Sequence, residues 1–262
     1  MDQIRQLLAS AQGAARTAKK IEERFAPHSV VRESLQSAKR VVALTGAGIS
    51  AESGIPTFRG NGGLWKQYRA EELATPQAFA RDPRLVWEWY NWRRRVIANA
   101  APNAGHKALA ELEQKVPDFT LITQNVDGLH QRAGSHRVLL LHGDIWTLRC
   151  VHCSKQEHDP RPDLPDLPPH CECGGLLRPG VVWFGEPLPP RVWEAAEEAT
   201  RHAEIFLAIG TSAVVYPAAG LISLAKSAGA AVIEVNIEPV RSSSVDFVLC
   251  GPAGELLPQL IA

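Results

Sequence analysis

Residues 41–54 read VVALTGAGISAESG: an apolar run, a glycine turn, then a polar helix start. The run Val41–Leu44 is short and rich in valine, which indicates a strand buried on both faces rather than a helix. Gly46 and Gly48, with Ala47 between them, allow the backbone to come close to a phosphate. The free N–H groups of the following helix favour negative charge there. An ordinary tight strand–helix turn is the competing reading. The spacing departs from G-x-G-x-x-G, because the next glycine is Gly54 and not residue 51. A standard dehydrogenase fingerprint is therefore disfavoured. The acid that such enzymes place after a second strand, about 20 residues on, is also missing.

Outward from this stretch, apolar strand-like runs recur at 119–122, 138–141, 205–209, 231–235 and 245–249. Helical stretches lie between many of them, at 104–116, 190–202, 217–228 and 252–261. Such alternation predicts an α/β fold, a Rossmann-type parallel sheet with helices on both faces. Two segments break the rhythm. Residues 56–103 are helical and aromatic, and residues 149–178 carry cysteines and prolines without periodicity. We expect the first as a helical insertion and the second as a zinc-binding module, together forming a small domain. Residues 31–55, 104–148 and 179–262 are left to the Rossmann-type domain, and 1–30 to an N-terminal helical extension. A cleft between the lobes is a common place for a ligand.

Composition narrows the function. The 262 residues balance 28 basic against 28 acidic side chains, so nothing demands a nucleic-acid backbone or an anionic membrane. No apolar run is long enough to cross a bilayer, and the N-terminus lacks the apolar core of a secretory signal. Five cysteines in so long a chain are too few for a disulfide scaffold. A cytoplasmic monomer is the expectation. Cys250, at the end of an apolar run, reads as a small buried residue.

Cys150-Val-His-Cys153 is followed after 17 residues by Cys171-Glu-Cys173. Two close pairs at that separation read as a four-thiolate zinc site. Four protein ligands leave no open position, so the metal is structural and replaces a core that this proline-rich segment cannot build. The C-x-C pair is tighter than the usual C-x-x-C, and His152 and His170 stay open as substitute ligands.

These features join at GAGISAESGIPTFRG (46–60), TQNVDGLHQRAG (123–134), LHG (141–143), GTS (210–212) and VNIEP (235–239). In this order, with the cysteine pairs, they resemble a sirtuin, an NAD-dependent protein lysine deacylase, over residues 35–258. The resemblance implies NAD as co-substrate, bound between a Rossmann-type domain and a zinc ribbon, and acylated protein lysines as partners. It places the Gly46–Gly48 loop and Arg59 at the pyrophosphate and nicotinamide ribose, with Phe58 over the reacting ribose face and Trp65 in the same cofactor loop. Gln124 touches the ribose, and Asn125 and Asp127 hold the carboxamide. Gly210, Thr211 and Ser212 line the phosphate–adenine side. Asn236, Ile237 and Glu238 face the adenosine ribose, and Ala253 lies near adenine. His142, whose kind titrates near neutrality, is the implied general base. VVWFGE (181–186) and SAVVYP (212–217) resemble the segments that pair with an extended peptide.

Residues 85–95, LVWEWYNWRRR, run from tryptophans into arginines. On a helix Val86, Trp89, Tyr90, Arg93 and Ile97 share one inward stripe. A guanidinium there needs an anion, since burying it unpaired costs several kcal/mol. The anion is either an acid of the protein or part of the substrate. The resemblance favours the substrate: a sirtuin class is marked by Y-x-x-R, matched by Tyr90 and Arg93, which reads the carboxylate of succinyl- or malonyl-lysine. Ala74 matches a small residue of the same pocket. Arg94 and Arg95 are expected on the outer face, solvated or paired. The expected activity is desuccinylation and demalonylation, with weaker deacetylation. The alternatives are a mainly deacetylating enzyme, a mono-ADP-ribosyltransferase on the same scaffold and a zinc-ribbon nucleic-acid binder. The last is opposed by the few basic residues of 150–175.

Overall fold

A computed structural model describes residues 28–57, 64–65, 68–240 and 242–261. The expected N-terminal extension lies outside the described residues up to residue 27, and so do Phe58 and Arg59. In chain order the strands are β1 (Arg40–Thr45), β2 (Leu64–Trp65), β3 (Tyr68–Arg69), β4 (Asp118–Thr123), β5 (Val138–Leu140), β6 (Gly143–Cys150), β7 (Gln156–His158), β8 (Leu177–Val181), β9 (Ile205–Ile209), β10 (Ala231–Asn236) and β11 (Phe247–Cys250).

The six apolar runs form one parallel sheet in the order β11-β10-β9-β1-β4-β5. The chain starts in the middle, moves out through β4 and β5, then returns to the other side of β1 with β9. This is the doubly wound Rossmann arrangement, and its crevice lies at the carboxyl ends of the adjacent strands β1 and β9, where the connections leave toward opposite faces of the sheet. Side chains alternate across β1. Val41 and Ala43 pack with the helices His28–Ser37, Ala104–Lys115 and Ala253–Ile261. Val42 and Leu44 pack with Pro190–His202 and Gly220–Ser227 on the other face. Both faces are covered, which is why the strand runs are apolar throughout.

The last strand begins at Phe247, two residues later than expected, because Asp246 is tied by both its N–H and its carboxylate to Val232. Cys250 is exposed, contrary to expectation, since β11 is the sheet's edge strand and Cys250 ends it. The small lobe holds an antiparallel sheet, β7-β6-β8, packed on the helices Ala70–Leu73, Pro76–Arg81 and Pro83–Asn99. The strands β6 and β8 straddle the expected borders at 148/149 and 178/179. GDIWTLRC hides its strand character because a register irregularity between Gly143 and Leu148 breaks the alternation.

The helix Pro83–Asn99 opens with Pro83 behind Asp82, whose carboxylate accepts the Leu85 N–H. Val86, Trp89, Tyr90 and Ile97 are buried as the spacing predicts. Arg94 is not on an outer face; it is 0 % exposed. It donates to the Asp159 carbonyl, lies 3.6 Å from that carboxylate and stacks 5.2 Å from the Trp146 ring centroid. Segment 159–164 folds back over this side of the helix: Asn91 bonds Leu164 in both directions, and Arg95 pairs with Asp163 at 2.8 Å. Helical spacing alone cannot reveal a returning loop.

The junction of β1 and β9 sets a stability prediction. A Cβ on Gly210, whose φ is +55°, would sit 2.5 Å from the Ile49 nitrogen. A Cβ on Gly229, at φ +94°, would meet nothing within 4 Å. Gly210→Ala should cost about 3 kcal/mol or more in urea unfolding, from overpacking added to backbone strain. Gly229→Ala should cost only about 1–2 kcal/mol, the left-handed backbone penalty.

Candidate active site

At the switch point the Gly46–Gly48 loop follows β1 and Gly210–Ser212 follows β9. The Gly46 N–H donates to the Ile209 carbonyl at 3.0 Å, and the Gly48 N–H to the Gly210 carbonyl at 2.8 Å. A Cβ on Gly48 would lie 2.7 Å from Gly210 Cα. The glycines are thus required first by strand-end packing, and these two N–H groups are already engaged rather than free for an anion. The loop still lines the crevice. A cavity of about 410 Å³ is bounded by Gly46, Ala47, Gly48, Gln124, Asn125, His142, Gly210, Thr211, Ser212, Asn236 and Glu238. Ala74, Tyr90 and Arg93 line the same space, with Val182–Glu186 and Val215–Pro217 at its walls.

Not every expected residue reaches it. Asp127 lies behind the lining, where its carboxylate accepts from Ser50 Oγ and the Leu129 N–H, both at 2.8 Å. Burial pushes its carboxyl above the usual range, opposed by these bonds and by Arg93. Ala253 is buried against Gly105, Ile237 is exposed, and neither lines the cavity. Of Trp65 the structure describes only the backbone, which pairs with Tyr68 in a two-residue strand, so whether its side chain reaches the cavity lies outside what is described.

His142 follows β5, and its Nδ1 lies 2.9 Å from the Gln124 carbonyl oxygen. A carbonyl only accepts, so Nδ1 carries the proton and Nε2 keeps a lone pair. Burial holds the imidazole below the ordinary histidine value, with the Gln124 bond opposing. The ring is therefore neutral at physiological pH and able to take a proton. Asn125 is fixed from three sides: its N–H goes to Thr123 Oγ1, and its amide donates to the Gly46 carbonyl and to Ser50 Oγ. Ser50, inside the quoted glycine motif but given no role from sequence, ties Asn125 to Asp127. Asn236 donates to the Thr211 carbonyl at 3.0 Å, joining the ends of β9 and β10.

On the small-lobe side of the cavity, Tyr90 is 3 % exposed and receives the Trp183 indole N–H at 2.9 Å. Burial pushes its phenol up to about 12, so it stays protonated. Burial lowers the Arg93 guanidinium's pKa, with Tyr90 and Asp127 opposing, and its Cζ lies 5.3 Å from the Trp89 ring centroid.

Away from the cavity, the sulfurs of Cys150, Cys153, Cys171 and Cys173 lie within 4.8 Å of one another. Cys150–Cys173 and Cys153–Cys171 separations are 3.5 and 3.8 Å, and no disulfide joins them. A tetrahedral zinc with bonds of about 2.3 Å spaces its sulfurs by about 3.8 Å, so the cluster fits that ion. His152 and Cys153 give their N–H groups to Cys150 Sγ, as an anionic thiolate requires. His152 and His170 stand outside the cluster.

The Sir2 family profile matches residues 46–217. A relative from Aquifex aeolicus (strain VF5), called NAD-dependent protein deacylase, is 62 % identical over 199 residues, 76 % of this chain and 83 % of its own. The chain belongs to the Sir2 family. A Sir2 homologue solved with NAD is 48 % identical, superposes with TM-score 0.85 and covers 90 % of this chain and 93 % of its own. A mutant Sir2 homologue solved with 2′-O-acetyl ADP ribose is 50 % identical, with TM-score 0.85, and covers 88 % of this chain and 94 % of its own.

Two expectations follow for this Sir2 chain. It should carry one zinc, released stoichiometrically to a chromophoric chelator after thiol modification, and Cys171→Ser should lose the metal together with several degrees of melting temperature. The pH profile of kcat/KM should hold its acid limb below the ordinary histidine value of 6.5, because a depressed pKa keeps His142 deprotonated to lower pH. A midpoint above 6.5 contradicts the buried neutral base.

Proposed function

We propose that this NAD-dependent protein deacylase removes succinyl and malonyl groups from lysine in preference to acetyl. One observation carries the reading: Ala74, Tyr90 and Arg93 line the same cavity as His142 and the Gly46–Gly48 loop. An acyl chain reaching inward from a peptide at the mouth therefore ends at a guanidinium and a phenol. A terminal carboxylate gains two parallel bonds from arginine and a third donor from tyrosine; an acetyl methyl gains none. Ala74, 5 % exposed, keeps that end of the cavity short of side-chain bulk.

NAD is consumed as co-substrate, supplying the ribose carbon to which the acyl oxygen bonds as nicotinamide leaves. Asn125, locked by Gly46 and Ser50, presents its amide to the carboxamide, with Asp127 supporting through Ser50. Gln124 serves the ribose, Thr211 and Ser212 the phosphates, and Asn236 and Glu238 the adenosine ribose. His142 Nε2 takes the proton of a ribose hydroxyl, which then captures the acyl group; water completes the release of lysine and O-acyl-ADP-ribose. Holding a weak nucleophile against a short-lived cationic carbon is chiefly a matter of positioning. The four-cysteine zinc sits apart from this cavity and holds the small lobe together. A relative's complex with 2′-O-acetyl ADP ribose keeps a mainly deacetylating enzyme as the competing reading.

The test is turnover of one peptide bearing acetyl-, succinyl- or malonyl-lysine. Charge-assisted bonds contribute roughly 1.5–3 kcal/mol each, so losing both arginine bonds in Arg93→Met should lower kcat/KM for the acidic groups by roughly 100-fold or more. The acetyl peptide should lose far less. Equal losses on all three peptides would make Arg93 a prop of the fold and refute the acidic-acyl assignment.

A further inference from the structure

The acyl pair is not freestanding. Tyr90 and Trp183 are each 3 % exposed, and the Trp183 indole N–H donates to the Tyr90 oxygen at 2.9 Å. An indole N–H is a donor only, whereas a phenol is one donor plus an acceptor. With Trp183 occupying an acceptor site on Tyr90, the phenol's own proton must point elsewhere, and Tyr90 borders the cavity. Trp183 is itself held tightly. The Arg178 guanidinium stacks on its ring, with Cζ 3.4 Å from the centroid. Arg178 grips both carboxylate oxygens of Glu186, at 2.5 and 2.8 Å, and Glu186 accepts the Trp183 backbone N–H at 2.8 Å. Phe79 packs 5.3 Å from the indole on its own helix's side. The next residue, Phe184, donates its N–H to the carbonyl of Ala74, the small residue of the acyl pocket. One brace thus fixes the indole, the phenol and, through Phe184, the backbone at Ala74.

We infer that Trp183 is a positioning residue for acyl-group selectivity: its indole N–H fixes the rotation of the Tyr90 hydroxyl so that the phenol donates toward an acidic acyl group. The inference rests on the acidic-acyl reading above and adds a residue and a direction to it. Without Trp183, the phenol proton is free to turn back toward the vacated acceptor direction. The enzyme then loses part of what distinguishes succinyl from acetyl while keeping Arg93.

The test is a double-mutant cycle read as the ratio of kcat/KM for succinyl- to acetyl-lysine peptide at saturating NAD. Trp183→Phe should lower that ratio about tenfold, the value of one neutral hydrogen bond. Tyr90→Phe should lower it at least as much, and the double variant no further than Tyr90→Phe alone, since Trp183 acts only through the hydroxyl. Because a smaller ring loosens packing, a second variant carries a tryptophan analogue with sulfur in place of the indole N–H. It keeps the bicyclic ring and removes only the donor, and should reproduce the Trp183→Phe ratio. An unchanged ratio in the sulfur analogue, or additive losses in the double variant, overturns the role of Trp183. Wild-type succinyl turnover that depends on Arg93 but not on Trp183 refutes this inference alone. Wild-type succinyl turnover that is absent, or indifferent to Arg93→Met, refutes the acidic-acyl reading and this inference with it.

Discussion

The Gly48 N–H bond to the Gly210 carbonyl draws the carboxyl ends of β1 and β9 to a separation that no Cβ would permit. Everything functional opens from that contact. The sheet reverses its winding between these two strands, so helices leave on opposite faces and a crevice remains between them. Into it β1 delivers the Gly46–Gly48 loop, β4 delivers Gln124 and Asn125, β5 delivers His142, and β9 and β10 deliver Thr211 and Asn236. The small lobe, held by its own core and by the cysteine cluster, closes the opposite side with Tyr90, Arg93 and the Trp183 segment.

The helix Pro83–Asn99 carries two neighbouring arginines with opposite fates. Arg94 is sealed inside and answered by Asp159, within the protein's own structure. Arg93, one residue earlier and about 100° around the helix, borders the cavity beside Tyr90. The single question raised by a guanidinium among tryptophans thus has both of its answers in one helix. The structural answer belongs to Arg94, and the substrate answer is the one we assign to Arg93. Cation burial here is a question of which side of the helix faces a returning loop and which faces a cavity.

Much of this is legible in the sequence where the determinants are local. Buried parallel strands announce themselves as unbroken apolar runs, and the runs at 41–44, 119–122 and 205–209 all fall within strands. The cysteine pairs state their purpose by spacing, and LHG places His142 at a strand end. What stays hidden depends on distant chain segments meeting. The strand β6 escapes a pattern search because its irregular register breaks the alternation. Periodicity misplaces Arg94 because the 159–164 loop returns over a face that helical spacing treats as outer. Ser50 shows no role within its motif, since only the fold brings it to Asn125 and Asp127. Asp127 and Ala253, carried over from the family resemblance, are not among the residues that line the cavity. Trp183 stands in a recognisable motif, but the partner of its indole lies 93 residues away.

The most direct measurement of the central claim is a crystal structure of the enzyme with a succinyl-lysine peptide and a non-reacting NAD analogue. The account predicts the succinyl carboxylate within hydrogen-bond distance of both the Arg93 guanidinium and the Tyr90 hydroxyl, with His142 Nε2 facing the nicotinamide ribose. A carboxylate turned toward solvent, with Arg93 clasped by an acid of the protein instead, would contradict it.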